Sequence, residues 1–350
     1  MPRSPKLSPS AAAIEPSRHA SRASVTIHDV ARLAQVSLMT VSRALKQPEK
    51  LAPQTLQRVR EAVACTGYVP NLMAGGLRSS RSGVVAVLVP TLAGLHFTGM
   101  IQSLTASLGQ QGLQVLVGQL GYRDSHEDEL LRAVIGRRPD GIVITGTVHS
   151  QQGRELLLGS GIPIVETWDC TDAPVDMLVG ASHEDIAAQA CEFLARRGRR
   201  RLALVSGDNE RAQRRARAFV ERTAALGLQP PVIHLVPEPT NHAGGRAALQ
   251  ALLQQRHTPD AVWCGSDLLA MGVLTEARVR GIGVPGTLAV MGSGDFDFAA
   301  TLDPSLTTVH IDGAQVGAIA ARLLLQRLDG QEVTQKVTDV GFTIIEREST

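Results

Sequence analysis

The chain has 350 residues, 43% hydrophobic and 19% charged, a length that points to two or three domains and a composition ordinary for a globular protein. Its net charge of +2 hides a division: residues 1–81 carry 12 Lys+Arg against 4 Asp+Glu, whereas residues 82–350 carry 23 against 29. A basic head on an acidic body points to a polyanionic partner for the head alone. Cys65, Cys170, Cys191 and Cys264 are scattered, with no C-x-x-C pair or His cluster beside them. That pattern argues against a disulfide framework or a metal site and leaves no cofactor to expect, as in a reducing cytoplasm. No apolar run reaches the roughly 20 residues that cross a bilayer, so no membrane partner is expected. Residues 1–24 read as a disordered, weakly basic arm without the apolar core of a secretory signal.

From residue 25 the pattern becomes helical. Thr26 and Asp29 have capping-box spacing, and Ile27, Val30, Ala31 and Ala34 form one apolar stripe. Gln35 and Val36 make a turn, and Ser37 can cap a second helix from Leu38 to Leu45 with Val41, Ala44 and Leu45 facing inward. Leu38, Met39, Ser42 and Arg43 are then left on the outer face, near the start of that helix. A third helix from about Pro53 to Thr66 would bury Leu56, Val59 and Val63. Two short helices joined by a tight turn suit a major groove, where Arg43 can fork onto a guanine edge or phosphate and Leu38 and Met39 can meet a thymine methyl. Periodicity alone also allows a small helical bundle that packs on something else.

The run VTIHDVARLAQVSLMTVSRALKQPEKLAPQTLQRVREAVACTGYVPN resembles the head of the LacI/GalR repressor family almost without gaps, most specifically at DVA, VS-x-x-TVSR and GYVPN. The resemblance implies a helix-turn-helix domain over 25–70 that reads double-stranded operator DNA through Thr26, Ser37, Leu38, Met39, Thr40, Ser42 and Arg43. Two positions depart from it: Gln35 replaces the usual turn Gly, and Ala52 replaces a usual capping Ser. Residues 71–82 match the family's hinge, which implies a segment that becomes helical on DNA. Leu77 would wedge into a minor-groove step with Asn71 and Ala74 near the backbone. Gly75 and Gly76 should weaken that helix and make its folding depend on DNA; a plain flexible linker is the alternative.

Beyond Gly83, β-branched runs alternate with helical stretches: 84–90, 113–119, 140–146 and 162–167, then 201–207, 231–236, 260–265 and 288–293. Two groups of four predict two α/β lobes with parallel sheets covered on both faces. Ligands of such sheets bind beyond the C-terminal ends of the strands, which nominates the loops at 91–97, 121–122, 145–147, 166–169, 208–215, 266–267 and 293–297. The family resemblance continues to about residue 348 and implies a periplasmic-binding-protein-like effector and dimerisation domain over 83–350. Lobe one would hold about 83–180 and 313–340, and lobe two about 181–312 and 341–350. SLMTVSR, IPIVETWD, PVDMLVGASH and GDFDFA look closest to the gluconate-operon repressor branch.

By position and by resemblance, the effector residues would be Phe97, Tyr122, Glu166, Arg215, Asp267, Ser293, Gly294 and Asp295. Arg215 stands where the family often grips hydroxyls or a carboxylate, while Arg211, Arg214 and Arg217 read as solvated. Ser266 replaces a common Asn, and Gly294 replaces a common Asp. The missing acid favours an anionic effector such as gluconate, whereas Glu166 argues mildly against it.

Several tempting signals are weaker. Gly281-Ile-Gly283-Val-Pro-Gly286 matches G-x-G-x-x-G but lies between a helix and a strand, the reverse of the dinucleotide fingerprint. His126–Glu129 reads as an acidic first helical turn, and Arg196–Arg201 as a solvated turn at a helix end. Trp168 and Trp263 could be core or sugar-stacking surfaces. No nucleophile, base or metal constellation emerges, so an enzyme is not expected. A solute-binding protein would fit the body but not the attached head. The expectation is a homodimeric, effector-controlled repressor, with no leucine heptads at its end to make a tetramer.

Overall fold

The structure, a computed structural model, describes residues 25–69, 81–121, 127–148 and 150–350. It divides near residue 77 into two units. The expected arm, the hinge residues Asn71, Ala74 and Leu77, and Tyr122 lie outside the described residues.

The first unit is three helices, α1 (Ile27–Ala34), α2 (Leu38–Lys46) and α3 (Pro53–Thr66). Asp29 starts α1 by accepting both the backbone N–H and the hydroxyl of Thr26, at 3.0 and 2.8 Å. Gln35 ends it in the left-handed region, φ 52° and ψ 47°, so the position does demand the conformation for which Gly is suited. Ser37 caps α2 by accepting from the Thr40 amide at 3.2 Å. α3 has no side-chain cap at Ala52 and relies on Pro53 in its first turn, whose fixed φ suits a helix start. Val30, Ala31, Ala34, Val41, Ala44, Val59 and Ala62 form the core, with Leu56 and Val63 half-buried against it. Leu45 is a correction: it is 38% exposed, because Val41 and Ala44 already fill the inward stripe of this short helix.

The second unit is built on two six-stranded sheets. The first contains β1 (Val84–Val89), β2 (Gln114–Gln119), β3 (Gly141–Thr145), β4 (Ile164–Thr167), β5 (Met177–Gly180) and β11 (Val337–Asp339). Its order is β11-β5-β4-β3-β1-β2, parallel throughout. On one face lie α4 (Thr98–Gly109) and α11 (Gly313–Leu328), and on the other α5 (Glu127–Ile135) and α6 (Gln151–Ser160). The second sheet contains β6 (Leu202–Gly207), β7 (Val232–Val236), β8 (Ala261–Cys264), β9 (Ala289–Ser293), β10 (Thr307–His310) and β12 (Thr343–Ile345). Its order is β12-β10-β9-β8-β6-β7, with β12 alone antiparallel. It is covered by α7 (His183–Arg196) and α8 (Glu210–Ala225) on one face and α9 (His242–Leu252) and α10 (Asp267–Val279) on the other.

Each sheet has two strands more than the four expected. The added β5, β10, β11 and β12 are three or four residues long, too short for a period-two pattern to stand out. They lie beside the places where the chain passes between lobes: after β5, between β10 and α11, and between β11 and β12. Residues 281–286 connect α10 to β9, helix to strand. The arginine run is less solvated than expected: Arg199 donates to the Pro285 carbonyl at 2.6 Å and Arg197 to that of Thr350 at 3.1 Å.

Candidate functional site

In the helical unit, Leu38 and Met39 are 39% and 67% exposed on α2, and Arg43 is exposed on the next turn. Ser37 and Thr40 share a hydroxyl–hydroxyl bond of 2.9 Å at the helix start. Buried Val41 and Ala44 hold the opposite face, so the start of α2 presents an apolar pair and a guanidinium outward.

In the body, the C-terminal ends of both sheets face a cavity of about 130 Å³, comparable with the roughly 150 Å³ that accommodates a six-carbon ring in an engineered apolar cavity. Lobe one supplies the 91–97 loop and Trp168; lobe two supplies His183, Asn209, Arg211, Arg215, Glu238, Ser266, Ser293 and Gly294. Trp168 sits in the left-handed region at φ 65°, strained backbone of the kind found where a side chain must be aimed. Its ring packs edge-on to Phe97 at 5.8 Å, and its indole N–H points to the Met100 sulfur at 3.2 Å. Trp263, by contrast, is core: it is fully buried, with its N–H on the Ser293 hydroxyl.

Arg215 donates to the Ser206 hydroxyl at 3.1 Å, while its buried Nε has no partner. No carboxylate pairs with it among the described residues. Burial, then repulsion from Arg211, lowers its pKa to about 10. Glu238 is occupied by the Asn209 amide and the Thr240 N–H at 2.5 and 2.9 Å. It fits because residue 207 is Gly: a Cβ there would lie 1.8 Å from the Glu238 oxygen. His96 bonds the Ser293 carbonyl across the lobes at 3.2 Å, and burial lowers its pKa to about 4. His183 bonds the Trp168 carbonyl at 2.9 Å and is likewise held neutral, by burial first and then by the charge of Arg215. With two guanidinium groups, one carboxylate and two neutral imidazoles, the cavity lining is net positive.

Phe97, Arg215, Ser293 and Gly294 line this cavity; Glu166, Asp267 and Asp295 do not. Glu166 shares the strand parity of Ile164, which packs toward α5 and α6. Its carboxylate accepts from the amides of Val175 and Val148 at 2.7 and 3.3 Å, and burial raises its pKa. Asp267 is spent on the Thr308 hydroxyl at 2.6 Å and the Phe296 amide at 2.9 Å. Asp295 pairs with Arg347 at 2.7 Å. The last two brace the 293–296 turn from behind. Gly294 has φ 130°, and a Cβ there would lie 2.9 Å from the Phe296 ring and 3.0 Å from that of His96, so no acid fits without displacing those rings.

Residues 26–71 match the bacterial regulatory proteins of the lacI family, and residues 191–350 match the periplasmic binding protein-like domain. The chain is 36% identical over 328 residues to the HTH-type transcriptional regulator GntR of Pseudomonas aeruginosa, across 93% of this chain and 95% of that protein. The chain belongs to the LacI family. A solved LacI-family regulator from Silicibacter pomeroyi has a TM-score of 0.87 at 29% identity, covering 93% of this chain and 99% of the other. The transcription regulator GntR from Chromobacterium violaceum has a TM-score of 0.72 at 33% identity, covering 76% and 98%. As a LacI-family member this is a DNA-binding transcriptional regulator and not an enzyme.

Sequence reasoning missed His96, His183 and Glu238 in this LacI-family body. His96 falls within a nominated loop, but a lone His there carries no period or motif. Arg211 and Arg214 depart from the solvated expectation: Arg211 lines the cavity, and Arg214 is 18% exposed and bonds Asp169, because the start of α8 faces the other lobe.

Proposed function

We propose that this LacI-family regulator is a homodimeric repressor of sugar or sugar-acid utilisation genes, released from a palindromic operator by an anionic sugar acid such as gluconate. The observation that carries the effector reading is Arg215, a buried guanidinium in the cavity without a carboxylate partner. A buried unpaired charge is costly, and a ligand carboxylate is the group that balances it and takes its free N–H donors. Phe97 and Trp168 offer an apolar wall for the carbon chain.

The DNA-reading group in this proposal is Thr26, Ser37, Leu38, Met39, Thr40, Ser42 and Arg43, with Asn71, Ala74 and Leu77 of the hinge at the minor groove. A palindromic site mirrors a two-fold dimer. Release follows from linkage: the acid binds more tightly to the arrangement of lobes that does not hold DNA, and so shifts the population away from the operator-bound state. The test is a gel shift of the full chain on its own promoter DNA, without and with gluconate, glucose and phosphate. Gluconate alone should release the complex. A complex unmoved by any sugar acid, or released equally by glucose, sinks the anionic-effector reading, and absence of a sequence-specific shift sinks the operator.

A further inference from the structure

We infer that the effector acid carries a neutral sugar unit, attached at an oxygen remote from its carboxylate, and that this unit occupies a second chamber between the lobes. The inference rests on the anionic-effector reading above and deepens it. The second chamber has a volume of about 490 Å³, against about 130 Å³ for the cavity at Arg215. The smaller space is filled by one six-carbon unit, and the larger has room for another. The two meet at Asn209 and Arg211, which line both. Lobe one lines the chamber with residues after β2 and at the end of β3, and lobe two with the start of α8. Gly121 and residues 145–147, which follow strands at the end where ligands bind, line this chamber and not the first cavity.

The lining suits hydroxyl groups. Thr147, Asp208, Arg211 and Gln213 make no side-chain hydrogen bond or ion pair among the described residues. Thr147 and Arg211 are half-buried, and Asp208 and Gln213 are exposed, so each can be reached from the chamber. The planar ends of Asp, Arg and Gln offer paired atoms that span neighbouring hydroxyls, which is the pattern a sugar ring presents. Charge disfavours a second anionic group here. Glu127, Asp208 and Glu210 line the chamber against the single guanidinium of Arg211; carboxylates repel an anion but accept from hydroxyls. The acid group therefore stays with Arg215, where the lining is net positive, and a neutral, hydroxylated extension passes Arg211 into the chamber.

The experiment is calorimetric titration of the full chain with gluconate, with maltobionate and melibionate, which carry a glycosyl group on O4 and O6 of gluconate, and with maltose. Gluconate should bind, at least one of the glycosyl acids about 10-fold more tightly, and maltose not at all. The double variant Asp208→Ala, Gln213→Ala should lose that gain and bind gluconate as before. If neither glycosyl acid binds more tightly than gluconate, or if the variant keeps the gain, the chamber is not a sugar site, and the anionic-effector reading stands without it. Maltose binding as tightly as maltobionate overturns the anionic-effector reading instead. Binding of none of the acids overturns both. The unaltered chain decides the matter even where the variant fails to fold.

Discussion

Arg214 on α8 places one Nη2 within 2.6 and 2.5 Å of the two oxygens of Asp169, which follows β4 in the opposite lobe. The pair is an inter-lobe tie: Asp169 is 1% exposed and Arg214 18%. Removing Arg214 would leave the buried carboxylate with the Cys170 amide and the more distant Arg211 charge, a poorer balance that is costly. Arg214→Ala should destabilise the body by about 2 kcal/mol after allowance for residual exposure, read as the urea unfolding midpoint. An unchanged midpoint would show the tie to be energetically idle.

Arg215 should behave in the opposite way. Its cation is buried without a carboxylate, so Arg215→Met should leave the unliganded chain as stable as before, or more stable by about 1 kcal/mol. The same change should weaken gluconate binding about 100-fold. Thermal unfolding with and without gluconate checks both halves, and a loss of stability without loss of binding contradicts the assignment.

Stability should fall on mild acidification. In the unfolded chain His183 titrates near 6.5, whereas in the folded protein burial and Arg215 hold it well below that. Above 6.5 it is neutral in both states; below 6.5 the unfolded chain takes up a proton that the folded chain refuses. This one group therefore removes up to about 1.4 kcal/mol per pH unit as the pH drops below 6.5. His96 acts in the same direction, down to about 4. Urea midpoints from pH 7.5 to 4.5 measure the slope, which His183→Asn should reduce; a flat profile excludes the buried neutral imidazoles.

The head carries two weak points. Gln35 is in the left-handed region, and Ala52 caps α3 with no side-chain bond. Gln35→Gly should stabilise the head by about 0.5–1 kcal/mol and Ala52→Ser by about 1 kcal/mol. Amide exchange of α1 and α3 in the full chain should slow correspondingly, and faster exchange in either variant contradicts this account.

Arg43 is exposed on α2, and among the described residues its side chain makes no hydrogen bond or ion pair. Arg43→Ala should weaken operator binding about 10- to 100-fold without altering the unfolding midpoint. Gel-shift titration measures the first effect and urea unfolding the second.

Local chemistry determined the head and the alternation of the body. Capping residues, the 3.6-residue stripe through Val30, Ala34 and Val41, and β-branched runs act between neighbours, so they survive in one dimension. The left-handed conformation at Gln35 follows instead from the family resemblance, in which Gly stands at that turn. Side-chain direction around the cavity was not. Trp168, His183, Arg215 and Glu238 are far apart in sequence and meet because the two sheets turn their C-terminal ends toward each other. Glu166 stood in the right loop, but strand parity turns it toward α5 and α6, where the Val148 and Val175 amides occupy its carboxylate. Asp267 and Asp295 are likewise held by Thr308, Phe296 and Arg347. A buried polar group goes to the partner that satisfies it best, and only the folded chain determines which partners are within reach.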